Sequence, residues 1–355
     1  VLRSISEKPQ LCRKKSMRQK ENEPVMNKTE RVKAALNGED VDRAPFSIWL
    51  HYPHKDQDPR SLADIQIDAA RTFDFDFIKL TPFGLYPVQD WGCKIHIFGT
   101  PHQPAIVDDF GIHELKDWGR LEELPATYGT YGKQVQLVQH AGRRLGHELP
   151  FIQTIFSPMT VATKLAGDRV FQDMKTDPKL FHQALEVITA TTVNFVKANI
   201  EAGVSGFFFA TQSANPKLMS VEDFEEFGEH YDRQVLDAYK DDTFFNVVHI
   251  HGDDIMFEKV AAYPGNCINW HDRWVEPSLG KGRKLTDKCL LGGIHEKEVL
   301  SKAPPDEVQT HVAEAIDDAG RKKLMIGPGC VADPLTPEIN YYAVKVAVER
   351  FSRIS

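Results

Sequence analysis

Short apolar runs that alternate with helical sequence constrain this chain more than any other feature. Eight such runs occur, at 45–49, 77–80, 151–155, 206–209, 246–250, 267–270, 289–292 and 324–326. Most are near-continuous apolar stretches, the pattern of strands covered on both faces in a parallel sheet. Sequence with helical spacing follows them. Residues 177–200 carry Leu185, Ile188, Phe195 and Val196 on one face. Pro305 opens a helix over 306–319, with Val308, Val312 and Ile316 together and Gly320 as a stop. Further helices are expected at 29–36, 62–73, 158–165, 221–239 and 338–351. Eight strand–helix repeats favour an α/β fold of the (β/α)8 TIM-barrel type, with a doubly wound sheet as the alternative.

Composition narrows the class. A charged fraction of 26% beside 41% hydrophobic residues suits a globular enzyme, and no apolar run is long enough to span a bilayer. The net charge of -8 argues against a nucleic-acid partner. Cys12, Cys93, Cys267, Cys289 and Cys330 lack paired spacing, which points to a reduced, cytoplasmic setting rather than a disulfide framework. Residues 1–25 are basic around Arg13, Lys14, Lys15, Arg18 and Lys20 and have no apolar core. They read as a disordered or non-native extension, and Glu7, Glu21 and Glu23 argue against a mitochondrial leader. Residues 26–355 are expected to form one domain, interrupted by an irregular insertion over 84–142 with a hairpin near Lys94 to Ile106.

Two strand ends concentrate the chemistry. Asn246-Val-Val-His249-Ile-His251-Gly252 places two imidazoles two residues apart, on one face of an extended strand. Ile326-Gly-Pro-Gly-Cys330 presents a thiol at another strand end. Two nitrogens and one sulfur suit zinc, with the fourth position open for chemistry. The competing reading makes the histidines hydrogen-bonded strand-end residues and Cys330 a small buried apolar group. In a barrel the active site lies at the C-terminal ends of the strands, where these groups all fall.

Other strand-end groups carry paired readings. His271 could act as acid or base with Asp272 orienting it, or lie in a surface turn. His295, beside Glu296 and after Gly292-Gly293, is a second acid–base candidate. Thr211 and Gln212 could hydrogen-bond a cofactor or substrate edge, and His51 could line the mouth with Tyr52 and His54. Asp253 and Asp254 could accept from a ligand imidazole or cap the next helix, with the cap favoured. Phe207 to Phe209 are expected in the core.

Four segments resemble the uroporphyrinogen decarboxylase superfamily: Thr29-Glu-Arg-Val-Lys-Ala-Ala-Leu-Asn-Gly-Glu-Asp-Val-Asp-Arg-Ala-Pro45, Ser157-Pro-Met-Thr-Val-Ala-Thr-Lys-Leu-Ala-Gly167, Leu218-Met-Ser-Val-Glu-Asp-Phe-Glu-Glu-Phe227 and Gly327-Pro-Gly-Cys-Val-Ala-Asp-Pro-Leu-Thr-Pro337. The resemblance implies a (β/α)8 barrel and one of two chemistries. Decarboxylases of the family grip a tetrapyrrole with arginines after the first strand and an aspartate after the next. Here those regions read Trp49-Leu-His-Tyr-Pro-His-Lys-Asp-Gln57 and Ile78-Lys-Leu-Thr-Pro82, with neither group. Cobalamin-linked methyltransferases of the family instead bind zinc through a His-x-Cys pair and a distant cysteine in a Pro-Gly-Cys turn. Cys330 and His249 match that set, and His251 stands at the usual cysteine position.

The resemblance thus implies a zinc-dependent methyltransferase that moves a methyl group to or from a corrinoid such as methylcobalamin. Its partners would be a small-molecule methyl donor or acceptor and a corrinoid protein. Porphyrinogen decarboxylation and non-catalytic corrinoid or tetrapyrrole binding remain as alternatives. The oligomeric state stays open between monomer and homodimer.

Overall fold

The computed structural model describes residues 26–353, so the expectation for residues 1–25 lies outside the described residues. Seven parallel strands run side by side in the order β1 (Ile78–Leu80), β4 (Phe151–Phe156), β5 (Gly206–Thr211), β6 (Val247–Ile250), β7 (Cys267–Asn269), β8 (Cys289–Ile294) and β9 (Leu324–Pro328). The remaining pair, β2 (Lys94–His96) and β3 (Ile106–Asp109), forms the expected antiparallel hairpin of the insertion.

The eighth stave is the segment 46–50. It makes parallel bridges Phe46↔Ile326 and Leu50↔Ala332 to the far edge of the sheet. Ile326 N–H donates to Pro45 O at 2.8 Å, Ser47 N–H to Ile326 O at 3.0 Å, and Ala332 N–H to Trp49 O at 2.8 Å. On its other side Asp76 N–H donates to Phe46 O at 2.9 Å, and Ser47 Oγ donates to Phe77 O at 2.7 Å. The segment therefore joins β1 to β9 and closes a (β/α)8 TIM-type barrel. It is a pair of bridges rather than the full strand expected over 45–49, in part because Pro45 has no N–H to give to a ladder.

Two apolar layers follow from strand parity. Phe207 and Phe209 face the surrounding helices, whereas Phe208 and Ala210 face the lumen with Trp49, Phe77, Ile152, Val247, Cys267, Cys289, Leu291 and Met325. The helix Lys28–Asn37 buries Val32, Ala34, Ala35 and Leu36 against that same lumen cluster and plugs its N-terminal end. Asn27 starts that helix by accepting from Glu30 N–H while Glu30 returns the bond, a capping box. At Gly206 a Cβ would lie 1.9 Å from Phe245 O, so only glycine lets β5 start this close to its neighbour.

Two local expectations need correction. The insertion is not irregular to residue 142, because helix Gly129–Leu145 precedes β4 and buries Val135, Leu137, Val138, Ala141 and Leu145. Its glycines at 129, 132 and 142 obscure the helical pattern. Asp253 and Asp254 cap nothing: the next helix, Phe257–Ala261, starts from Met256, and Asp253 is an exposed partner of Lys217 at 2.9 Å. Among the described residues the four cysteines are free, and no helix is long and apolar enough to cross a membrane.

The seam beside the closing segment rests on a buried charge cluster. Asp76, fully buried, accepts from Arg31 Nη1 at 2.7 Å, Arg43 Nη1 at 2.5 Å and the backbone N–H of Phe46 at 2.9 Å. Removing the carboxylate would leave two guanidinium groups without that partner in a dry seam. Asp76→Ala should cost about 3–5 kcal/mol of stability, as expected when one partner of a buried pair is deleted. Urea unfolding checks this, and a loss below about 1 kcal/mol would show that the cluster does not hold the seam.

Candidate functional site

Strand geometry delivers His249 and His251 to one face. His249 pairs with Ala210 on β5 and ends the register of β6 with β7, opposite Asn269. His251 lies two residues on, just past the end of β6, its backbone N–H donating to Thr211 O at 2.9 Å. The turn after β9 brings in the thiol. Gly329 makes that turn possible, because a Cβ there would sit 2.8 Å from the Cα of His271 and 2.9 Å from Trp270 O. Each of His249, His251 and Cys330 offers a ligand atom, all within 4.8 Å of one another, and Cys330 Sγ is 3.8 Å from His251 Nδ1.

The surroundings select a ligand state. Asn269 is fully buried and its amide nitrogen donates to Leu291 O at 2.8 Å and Pro328 O at 3.1 Å. Its Oδ1 therefore faces His249 Nδ1, 2.6 Å away, and must accept a proton from it. This leaves the lone pair of His249 Nε2 free, the arrangement that outer hydrogen bonds impose on metal-binding histidines. Burial, with His251 and His271 nearby, holds the His249 pKa well below normal. Burial, with His271, lowers His251 to about 4, so both rings are neutral. Burial raises the Cys330 thiol, opposed by the ammonium of Lys79. Two neutral imidazoles and one thiol of borderline softness fit zinc.

His271 joins the edge of this cluster. Its Nε2 lies 3.3 Å from His251 Nδ1, and its Nδ1 lies 2.9 Å from Glu296 Oε1. Both His271 and Glu296 are buried, and Glu296 Oε2 has no hydrogen-bond partner. Burial works against the Glu296 charge, but the bond from His271 keeps its pKa below normal. Asp272 does not orient His271 as expected. Its carboxylate turns away to accept from Gly293 N–H at 3.1 and 3.0 Å, and burial pushes it up to about 7.

The other candidates spread outward. His295 lies across Trp274, ring centroids 6.2 Å apart, with Trp274 in turn 4.4 Å from His271. Its backbone N–H donates to His311, and its ring Nδ1 has no partner. Thr211 has the parity of Phe207 and Phe209, on the helix side of the sheet, and Gln212 has lumen parity. His51 stands on the opposite wall of the mouth, half-buried; burial and the ammonium groups of Lys79 and Lys164 lower it to about 3.

Comparison with known proteins identifies the family. Residues 27–351 match the family described as uroporphyrinogen decarboxylase (URO-D). The chain belongs to that family. Among relatives, the methylcobamide:CoM methyltransferase MtbA of Methanosarcina mazei is 22% identical over 326 residues, spanning 88% of this chain and 94% of that protein. MtaA of Methanosarcina barkeri, another methylcobamide:CoM methyltransferase, is 23% identical over 349 residues, spanning 90% and 97%. A uroporphyrinogen decarboxylase of Geobacter sp. (strain M21) is 26% identical but aligns over only 59% of this chain and 63% of its own. The solved structure of a methyltransferase from Methanosarcina mazei superposes with a TM-score of 0.80 at 21% identity, covering 92% of this chain and 99% of that one.

Asn269 and Glu296 were not legible as the partners they are. Asn269 did leave one signal, an amide inside the apolar run Cys267-Ile-Asn-Trp270, where a buried polar group needs partners. Asn269→Leu removes the acceptor that fixes His249. For any metal ion that the His249–His251–Cys330 cluster takes up, the expected effect is a loss of affinity by about 10–100-fold. Competition against a chromophoric chelator measures this, and unchanged affinity would show that the amide does not tune the site.

Proposed function

We propose that this chain is a zinc-dependent methyltransferase that moves a methyl group to or from a corrinoid, with His249, His251 and Cys330 as the zinc ligands. The observation that carries the reading is the convergence of those three side chains within 4.8 Å, with His249 held in the ligating tautomer by Asn269. The full-length similarity to methylcobamide:CoM methyltransferases supports it. Zinc, when bound, would lower the pKa of an acceptor placed at the open position and hold it for attack.

The chain's own residues do the rest. His271 receives the acceptor's proton at Nε2, because Nδ1 is engaged by the buried Glu296 carboxylate. Glu296 thereby positions the ring and offsets the charge that appears on it. A corrinoid methyl donor would supply the methyl group to the acceptor once His271 has taken the acceptor's proton, the electron pair of its broken methyl bond staying with the corrinoid. Trp274 packs at a tilt against His271, ring centroids 4.4 Å apart. His295, one ring further out, leaves His271 as the acid–base group. The corrinoid would approach the barrel mouth either free or on a small carrier protein.

Metal analysis tests the reading directly. Protein purified without chelators should hold about one zinc per chain, and Cys330→Ser and His251→Ala should each lose it. Loss of methylcobalamin absorbance on adding a thiol acceptor should fall with them. His271→Ala should keep the zinc and slow transfer by about 10²–10⁴-fold, most at low pH where the acceptor keeps its proton. Retained zinc in Cys330→Ser, or turnover of uroporphyrinogen by the zinc-free protein, would overturn the assignment.

A further inference from the structure

The last helix, Glu338–Phe351, is apolar on two sides. Its inner face buries Tyr341, Ala343, Val344, Ala347 and Val348. Its outer face carries Ile339, Tyr342 and Val346, which are 57%, 41% and 45% exposed, and Leu335 in the preceding turn is 66% exposed. The positions 335, 339, 342 and 346 advance by four, three and four residues, the spacing of a seam along which two helices meet. The neighbouring helices of the ring behave otherwise. Helix Pro305–Ala319 presents Asp306, Glu307, Thr310, Glu314 and Asp317 to solvent, and helix Pro59–Thr72 presents Arg60, Asp68 and Arg71. A surface helix is polar outward, whereas a helix apolar on both sides is covered on both. Among the described residues nothing covers this seam.

The charges at the two ends of the seam identify the occupant. Asp333 and Glu338 stand exposed at its start, and Arg350 and Arg353 stand exposed at its end. Lys345, between them, is already engaged by Asp74 at 3.1 Å. Among the described residues Glu338, Arg350 and Arg353 form no ion pair. A second copy of the helix laid antiparallel sets acid against base at both ends. It also sets Ile339 against Val346, which lie about 10 Å apart along the axis, so the apolar side chains meet in the middle. The helix dipoles then oppose each other, which favours the pair. A parallel copy would instead bring like charges together at each end.

We infer that this protein forms a two-fold homodimer through the outer face of helix Glu338–Phe351, with the two copies antiparallel about Tyr342 and Glu338 of each copy paired with Arg350 of the other. One patch used twice is the simplest closed contact, and it needs no second surface. The antiparallel arrangement points the two barrel mouths toward opposite ends of the dimer, so neither is covered. The seam also reaches back toward the chemistry. Leu335 lies five residues after Cys330, in a segment tied to the closing segment through Ala332 N–H and Trp49 O. The dimer contact therefore braces the stretch that follows the thiol. This inference is independent of the methyl-transfer reading.

Sedimentation velocity of the full chain tests it. The protein should run at twice the chain mass at about 100 μM and move toward one chain mass on dilution. Ile339→Lys and Val346→Lys should each weaken association by about tenfold or more. Their circular dichroism should match that of the wild type at a dilution where all are monomeric, which separates loss of the contact from loss of the fold. Glu338→Arg and Arg350→Glu should each weaken association, and the double variant should restore it. In a parallel pair each of these residues would meet its own copy, so a single change would exchange one like-charged pair for another and leave the affinity unaltered. A monomer at every concentration would overturn the inference and leave the seam to another occupant. A dimer that all four single variants leave intact, or charge variants that the double change does not rescue, would overturn it as well.

Discussion

The closure of the barrel through residues 46–50 is the constraint on which everything else depends. Seven strands make a regular parallel sheet, but a sheet with two free edges would not converge its C-terminal ends. Backbone bonds from Ile326, Ser47 and Ala332 fasten one edge to the closing segment, and Asp76 with Ser47 fastens the other. Cys330 follows β9 directly and Lys79 lies on β1, the two strands that this segment joins. The thiol and the Lys79 ammonium therefore hold their places relative to the histidines only while the ring is shut. The buried Asp76 cluster, far from the chemistry in kind, is part of what sets its geometry.

Much of this was legible in the sequence because parallel strands buried on both faces must be apolar throughout. All eight strand runs correspond to strands or to the closing segment, and the histidine pair and Cys330 do meet. What was illegible was long-range pairing. Nothing local in Trp270-His-Asp-Arg273 says that His271 turns to Glu296 rather than to its neighbour Asp272. That choice follows from the adjacency of β7 and β8 and from Gly293 N–H, which takes the Asp272 carboxylate. The same limit hid Lys164, which reads as an ordinary polar residue on an amphipathic helix until the barrel turns it toward the mouth. The glycine-spaced helix Gly129–Leu145 was missed for a local reason, its weak periodicity.

Electrostatically the mouth is divided. On the β6–β7–β8 side, burial and mutual proximity keep His249 and His251 neutral, and the carboxylate of Glu296 is the one nearby negative charge that His271 engages. On the β1–β4 side stand Lys79 and Lys164 without a carboxylate.

The lumen below the site is filled with hydrocarbon and stoppered by the helix Lys28–Asn37. The barrel is thus a well with one opening, and traffic through it has to be sequential. Under the proposed function, a small guest seated at the bottom of the mouth would be sealed in by a large planar partner covering the rim, and would leave only after that partner did. Ordered kinetics, with the small molecule first on and last off, would then follow from the architecture rather than from any single side chain.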